Sequence, residues 1–267
     1  MTLLRSLIFA AGGLAWTTLL AVLYLPLLLA PRQAAQQGAK FWIRGLYGLL
    51  SWTCRLRYRV VCDGPLPSGP VIIAAKHQSA WDTLVFHHLL DDPVFVLKRE
   101  LFAVPGLGWY LRKAGNVGID RAAGAGALRQ MLAGVDHALS EDSQVIVFPE
   151  GTRAAPGARR PYHPGIAAVY GRAGRPVVPV ALNSGMFWGR RSLRKYPGVI
   201  TIEFLEPIPP GLDRRDFTTR LQTAIEDATQ RLCVEAAEQR GVPAPVAPTS
   251  VTRTKKEQEL KDETTLA

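Results

Sequence analysis

The chain has 267 residues, with 32 basic and 22 acidic side chains and a formal net charge of +10 at pH 7. At 48% hydrophobic and 20% charged residues it is too apolar for a disordered protein and too varied for a fibrous one. Its three cysteines, Cys54, Cys62 and Cys233, form no C-x-x-C pair and no even framework, which argues against a disulfide-stapled secreted fold and a thiolate zinc site.

From Leu7 to Ala30 no residue is charged. As one helix this stretch would reach about 36 Å, enough to cross a hydrocarbon core of about 30 Å. Arg5 precedes it, and Arg32, Lys40, Arg44, Arg55, Arg57 and Arg59 follow. The positive excess on the C-terminal flank predicts a retained anchor in the inner (cytoplasmic) membrane, with the bulk of the chain facing the cytoplasm. A cleaved signal peptide is the rival reading, although the apolar run is long for one and only Arg5 marks its start, and a helix embedded in one leaflet fits the same residues. Between Lys40 and Leu56, Phe41, Trp42, Leu46, Leu49, Leu50 and Trp52 recur at near-helical spacing among basic residues. They read either as an amphipathic interfacial helix or as a helix packed on a globular domain.

Residues 1–56 thus form an anchoring segment, and from about Arg57 the pattern changes. Strands are expected at Tyr58–Cys62, Pro70–Ala75, Val94–Leu97, Asn116–Ile119, Gln144–Phe148, Val177–Leu182 and Val199–Phe204. Helices are expected at Trp81–Leu90, Leu107–Ala114, Ala125–Leu139, Gly165–Ala173 and Phe217–Gln239. This alternation predicts one α/β domain over residues 57–240, with a mainly parallel sheet flanked by helices. Pro179 is awkward in a buried strand and belongs at an edge or a bulge. Residues 241–267, with Pro243, Pro245 and Pro248 before a polar run, read as a disordered tail.

Between Gly151 and Ile202 there is no Asp or Glu, while Arg153, Arg159, Arg160, Arg172, Arg175, Arg190, Arg191, Arg194 and Lys195 all fall there. Such a run attracts phosphates, anionic lipid or an acidic partner. Nucleic acid is not expected, because the chain carries an anchor and no nucleic-acid module.

The strand ending at Ala75 leads into Lys76-His77-Gln78-Ser79-Ala80-Trp81-Asp82. On one continuous helix His77 and Asp82 would lie about 140° apart. If the helix begins at Ser79, the Asp82 carboxylate can bend back to the imidazole, fix its tautomer and stabilise the imidazolium. Ser79-x-x-Asp82 is also a capping-box variant, and the one carboxylate can cap and orient together. The second signal is Phe148-Pro149-Glu150-Gly151-Thr152-Arg153. A proline and a glycine end the strand there, lifting Glu150 and Arg153 to the edge where open α/β sheets bind ligands. Arg suits phosphate oxygens; a strand-end turn with a surface Arg is the plainer reading. Lys98-Arg99-Glu100-Leu101 follows a strand, and Asp120-Arg121 ends another as a ligand contact or an ordinary ion pair. There is no G-x-S-x-G elbow, H-E-x-x-H or P-loop, and no metal is implied.

In this order and spacing, His77…Asp82, Gly115…Arg121, the run at 148–153 and Val178-Pro179-Val180 resemble the glycerolipid acyltransferase superfamily, and within it the bacterial 1-acyl-sn-glycerol-3-phosphate acyltransferases. The resemblance covers about residues 65–210. Gly118 departs from it, standing where a bulky apolar residue is usual. The resemblance implies acyl transfer from a thioester, acyl-CoA or acyl carrier protein, to lysophosphatidic acid at a membrane, with no cofactor. It implies His77 and Asp82 as the catalytic pair, and Glu150, Gly151, Thr152 and Arg153 as acceptor-binding, with Lys98 at the phosphate. Arg121 is a further candidate for the phosphate, and backbone N–H groups at the helix start after His77 are candidates for the oxyanion. Another lyso-lipid acceptor, such as lyso-ornithine lipid or a lysophospholipid with a headgroup, and a non-catalytic basic membrane adaptor are the alternatives.

Overall fold

The structure, a computed structural model, describes residues 1–246, apart from the side chain of Arg121. Most of the expected tail, Pro248 included, lies outside the described residues.

The N-terminal stretch is not one helix. Helix α1 runs Thr2–Leu23, a single 3-10 turn follows at Leu25–Leu28, and α2 runs Arg32–Cys54. Pro26 has no N–H to donate to the preceding turn, so the helix ends before it. The chain then folds back, and α1 lies along α2 as a helical hairpin. Ser6, Phe9, Gly13 and Leu20 form the buried stripe of α1. Trp16 Nε1 donates to the Trp42 carbonyl at 2.9 Å, and Trp42 Nε1 donates to Thr17 Oγ1 at 3.0 Å. Both indole N–H groups are thus satisfied within the hairpin.

Helix α2 packs on the globular domain, the plainer of its two sequence readings. Leu50 and Cys54 join the same core as Trp81, Val85 and Phe86. At its start, Arg32 pairs with Asp92 at 2.9 Å and Gln36 donates to the same carboxylate at 2.8 Å. Its outer surface still exposes Phe41 and Trp52.

All seven expected strands form: β1 Leu56–Cys62, β2 Val71–Ala75, β3 Pro93–Lys98, β4 Val117–Ile119, β5 Gln144–Val147, β6 Val177–Leu182 and β7 Gly198–Phe204. The helices between and after them are α3 Trp81–Leu89, α4 Leu107–Lys113, α5 Ala125–Ser140, α6 Gly165–Ala173, α7 Ser184–Phe187 and α8 Arg214–Arg240. The strands make one sheet in the order β1-β7-β6-β2-β5-β3-β4. Only the β6–β7 pairing is antiparallel. Alternate residues feed opposite faces, as strand geometry requires. Ile73 and Ala75 join one core cluster, and Ile72 and Ala74 the other.

Helix α8 starts three residues earlier than its apolar pattern, because the Asp213 carboxylate caps the Arg215 and Asp216 N–H groups. Pro179 sits in a central strand, at a bulge. The β6 partners slip by one residue between Val177↔Ile208 and Val180↔Phe204. Its carbonyl accepts from Leu205, so its missing N–H faces the same irregular side.

The hairpin depends on small residues at the crossing. A Cβ on Gly45 would stand 2.5 Å from the Trp16 indole, whereas one on Gly48 would meet nothing within 4 Å. Gly45→Val is therefore expected to destabilise by about 1–3 kcal/mol through overpacking. Gly48→Ala, an open helical position, should be neutral or slightly stabilising; thermal unfolding of the two variants side by side checks this.

Candidate active site

Strands β2, β5 and β3 are neighbouring and parallel, so the segments that follow them emerge on one edge of the sheet. His77 follows β2. Its Nδ1 lies 2.9 Å from Asp82 Oδ2. Oδ2 also accepts the N–H groups of Gln78 at 2.6 Å and Ser79 at 2.7 Å. It is thus an acceptor throughout, Nδ1 is the donor, and Nε2 of the neutral ring carries the lone pair. Asp82 is fully buried, while the His77 side chain keeps 12% of its surface. The imidazole stacks on Phe148 with centroids 4.0 Å apart.

Helix α3 begins at Trp81 rather than Ser79, leaving His77 on the turn before it and Asp82 in its first turn. Ser79 Oγ accepts from the Trp81 N–H at 3.2 Å while Asp82 reaches back to the Ser79 N–H, a reciprocal cap. The carboxylate both caps and orients. The same contacts narrow one expectation: the amides of Gln78, Ser79 and Trp81 are engaged within the turn, which leaves fewer N–H groups there for a developing oxyanion.

The Glu150 side chain, expected at the acceptor, faces the protein interior. It is wholly buried and accepts from Lys76 Nζ at 2.7 Å. Lys76 also bonds Glu226 of α8 at 2.8 Å and the Ala158 carbonyl at 3.2 Å. The Tyr162 hydroxyl donates to Glu226 at 3.2 Å. The second oxygen of Glu150 accepts the His77 backbone N–H at 3.3 Å. Glu150 therefore serves the site from behind, by tying the turn at His77 to the turn at 148–151. Burial, set against the nearby ammonium of Lys76, holds its carboxyl above the ordinary value of 4.5.

Gly151 is needed where it stands. Its φ is +65°, and a Cβ there would lie 2.6 Å from the His163 ring. Thr152 and Arg153 follow on the loop, both half-buried. The next N–H, of Ala154, donates to the His77 carbonyl at 2.8 Å, which fastens the loop that carries Arg153 to the turn at His77. The Arg153 guanidinium has no carboxylate partner among the described residues. Arg159 and Arg172, by contrast, are paired with Asp227 and Asp136. Two of the nine cations of the acid-free run are thus neutralised elsewhere, and Arg190 lies against the Arg153 loop. Arg190 donates to the Arg153 carbonyl at 3.3 Å.

Lys98 ends β3, two strands from His77 on the same sheet edge, which is about 10 Å at the usual strand spacing. Its ammonium is exposed and paired with Glu100 at 2.7 Å. Arg121 follows β4, the next strand outward; its side chain lies outside the described residues. Asp120 caps the Ala122 N–H at 3.0 Å.

Sequence reasoning missed Lys76, Glu226 and Ser184. Lys76 is adjacent to the motif, but its partners come from distant segments. The cluster has one cation for two carboxylates. Lys76→Met should therefore cost about 3–5 kcal/mol, because it leaves buried acids uncompensated. Glu150→Gln should cost far less, since Lys76 and Glu226 remain matched. The sign with pH is also set. A carboxyl raised in the folded chain stabilises fully below 4.5, and that contribution is lost as pH rises through the raised value. Glu150→Gln should flatten this fall; thermal midpoints across pH 4–8 for the three proteins check both expectations.

Residues 57–183 match the protein family described as Acyltransferase. Over 201 residues the chain is 33% identical to a 1-acyl-sn-glycerol-3-phosphate acyltransferase of Pseudomonas aeruginosa, covering 75% of this chain and 77% of the relative. It is 30% identical to a lyso-ornithine lipid O-acyltransferase of the same organism over 209 residues, covering 71% and 77%. The fold matches the crystal structure of the 1-acyl-sn-glycerophosphate (LPA) acyltransferase PlsC from Thermotoga maritima with a TM-score of 0.70 at 22% identity, over 87% of this chain and 98% of that one. By this likeness, and with a histidine held by a buried carboxylate on the sheet edge, the chain belongs to the 1-acyl-sn-glycerol-3-phosphate acyltransferase family.

Proposed function

We propose that the protein transfers a fatty acyl group from acyl-CoA or acyl carrier protein to the sn-2 hydroxyl of 1-acyl-sn-glycerol-3-phosphate, forming phosphatidic acid. The observation that carries this reading is the His77–Asp82 pair at the sheet edge, with an unpartnered Arg153 on the adjoining loop. His77 Nε2 takes the hydroxyl proton, and the oxygen attacks the thioester carbonyl. As the tetrahedral intermediate collapses, His77 returns the proton to the departing thiolate. Asp82 holds the ring in the productive tautomer and balances its charge. Arg153, aided by Lys98 and Arg121, grips the phosphate and so places the hydroxyl.

Direct transfer is favoured over a covalent acyl-enzyme. Burial pushes the Cys233 thiol up to about 11. Ser79 and Ser184 are buried and committed to the Trp81 N–H and to Asp82. The likeness to a lyso-ornithine lipid acyltransferase supports a second acceptor reading; competition between the two acceptors decides it.

The hairpin would seat the enzyme in the membrane. Leu4, Leu7, Ile8, Leu14, Leu19 and Val22 are exposed along α1. Both ends of α1 touch the domain: Ser6 bonds the Lys195 backbone at 2.9 Å, and Tyr110 donates to the Ala21 carbonyl at 2.7 Å. A helix pinned to one domain at both ends lies along the bilayer surface, which supports insertion into one leaflet rather than a span. Nitroxide labels at Leu4, Leu14 and Val22 should then report similar depths in vesicles; a deep centre between shallow ends would indicate a span instead.

Purified protein with labelled acceptor and each donor in turn tests the chemistry. Folded His77→Ala should lose roughly 10²–10⁴-fold in turnover, and near-normal turnover overturns the mechanism. Arg153→Ala should lower kcat/KM for the acceptor about 10–100-fold, the scale of one or two charge-assisted hydrogen bonds. A loss confined to the donor contradicts that assignment.

A further inference from the structure

Asp82 is held from two sides, and only one of them belongs to the motif. Oδ2 takes the imidazole and the two amides of its own turn. Oδ1 takes a single partner, the hydroxyl of Ser184, at 2.5 Å. Ser184 opens α7, directly after β6, and is separated from Asp82 by 102 residues of chain. Both residues are wholly buried.

We propose that Ser184 is a positioning residue of the catalytic pair, holding the outer oxygen of Asp82 so that the inner one stays in line with His77 Nδ1. This rests on the acyl-transfer reading above and extends it to a residue beyond the motifs that carry the resemblance. Rotation about the Asp82 Cβ–Cγ bond swings both oxygens together, so any freedom at Oδ1 loosens the line from Oδ2 to Nδ1. The Ser184 hydroxyl removes that freedom, and in a dry site it is the only donor within reach of Oδ1 among the described residues.

Ser184 is itself well fixed. Its carbonyl accepts the Trp188 N–H at 2.8 Å. The next residue, Gly185, donates its N–H to Gln78 Oε1 at 3.0 Å, which ties α7 to the catalytic turn a second time. That approach is close: a Cβ on Gly185 would stand 3.0 Å from Gln78 Cβ. The neighbouring Asn183 is held equally firmly, its side chain accepting from the Thr201 N–H at 2.8 Å and donating to the Leu232 carbonyl at 2.9 Å. The stretch after β6 thus delivers one hydroxyl to one oxygen. Ser184 touches neither substrate nor the reacting atoms in this scheme.

The test compares Ser184→Ala and the near-isosteric Ser184→Cys, a poor donor, with the wild-type enzyme in steady-state acyl transfer. Both variants should remain folded, keep KM for acceptor and donor, and lose roughly tenfold in kcat, the scale of one hydrogen bond to a charged group. In an Asp82→Asn background the same Ser184 changes should have little further effect, because the two side chains act as one unit. Unchanged kcat in both variants overturns the proposal. So does an effect that adds in full to that of Asp82→Asn, or loss of folding in both, which would make Ser184 a stability residue. Absence of acyl transfer by the wild-type protein would reject the functional reading itself, a separate result.

Discussion

A carboxylate with no access to water must find its donors inside the protein, and Asp82 organises the site by doing so. Its oxygens gather two amides of the catalytic turn, the imidazole of His77 and a hydroxyl from the far side of β2. An unpartnered ionised group in that position would be expensive. The turn, the start of α3 and the end of β6 are therefore drawn to one point by the same requirement that steadies the imidazole. Capping a helix and orienting an imidazole are one interaction here.

The second layer is ionic. Lys76 runs beneath the catalytic turn and joins the loop at 148–153 to α8. Through Glu150 it also reaches the His77 amide. The loop carrying Arg153 is thus registered against the histidine by backbone bonds above and a buried charge cluster below. Under the proposed reaction a small lipid headgroup needs such registration, because an ångström of error in the placement of its hydroxyl costs rate. Phe148 completes the frame by covering one face of the imidazole.

Strands β2, β5 and β6 were legible because each is a short apolar run buried on both faces, the signature of a parallel sheet, and β1 because buried and more exposed residues alternate along it. The pairing of His77 with Asp82 was legible because it is local. The hairpin was not. Pro26 is tolerable in a membrane helix taken alone, and only the packing of α1 on α2 decides that the chain turns back there. Glu150 was read as a ligand contact because its position in the motif is visible, whereas Lys76 and Glu226, which turn it inward, are 150 residues apart. Ser184 carried no signal at all, since a single serine after a strand is ordinary. Pro179 announced an irregularity, and the slipped register beside it supplied one without moving the strand to an edge.

The uneven count in the buried cluster, one ammonium facing two acids, also restricts how this lineage can change. A descendant that replaces Lys76 with a neutral residue must neutralise both acids in the same step or leave a buried charge stranded. Position 76, inside the most recognisable stretch of the chain, is therefore constrained by position 150 and by position 226, the latter on a helix that the shared motifs never reach.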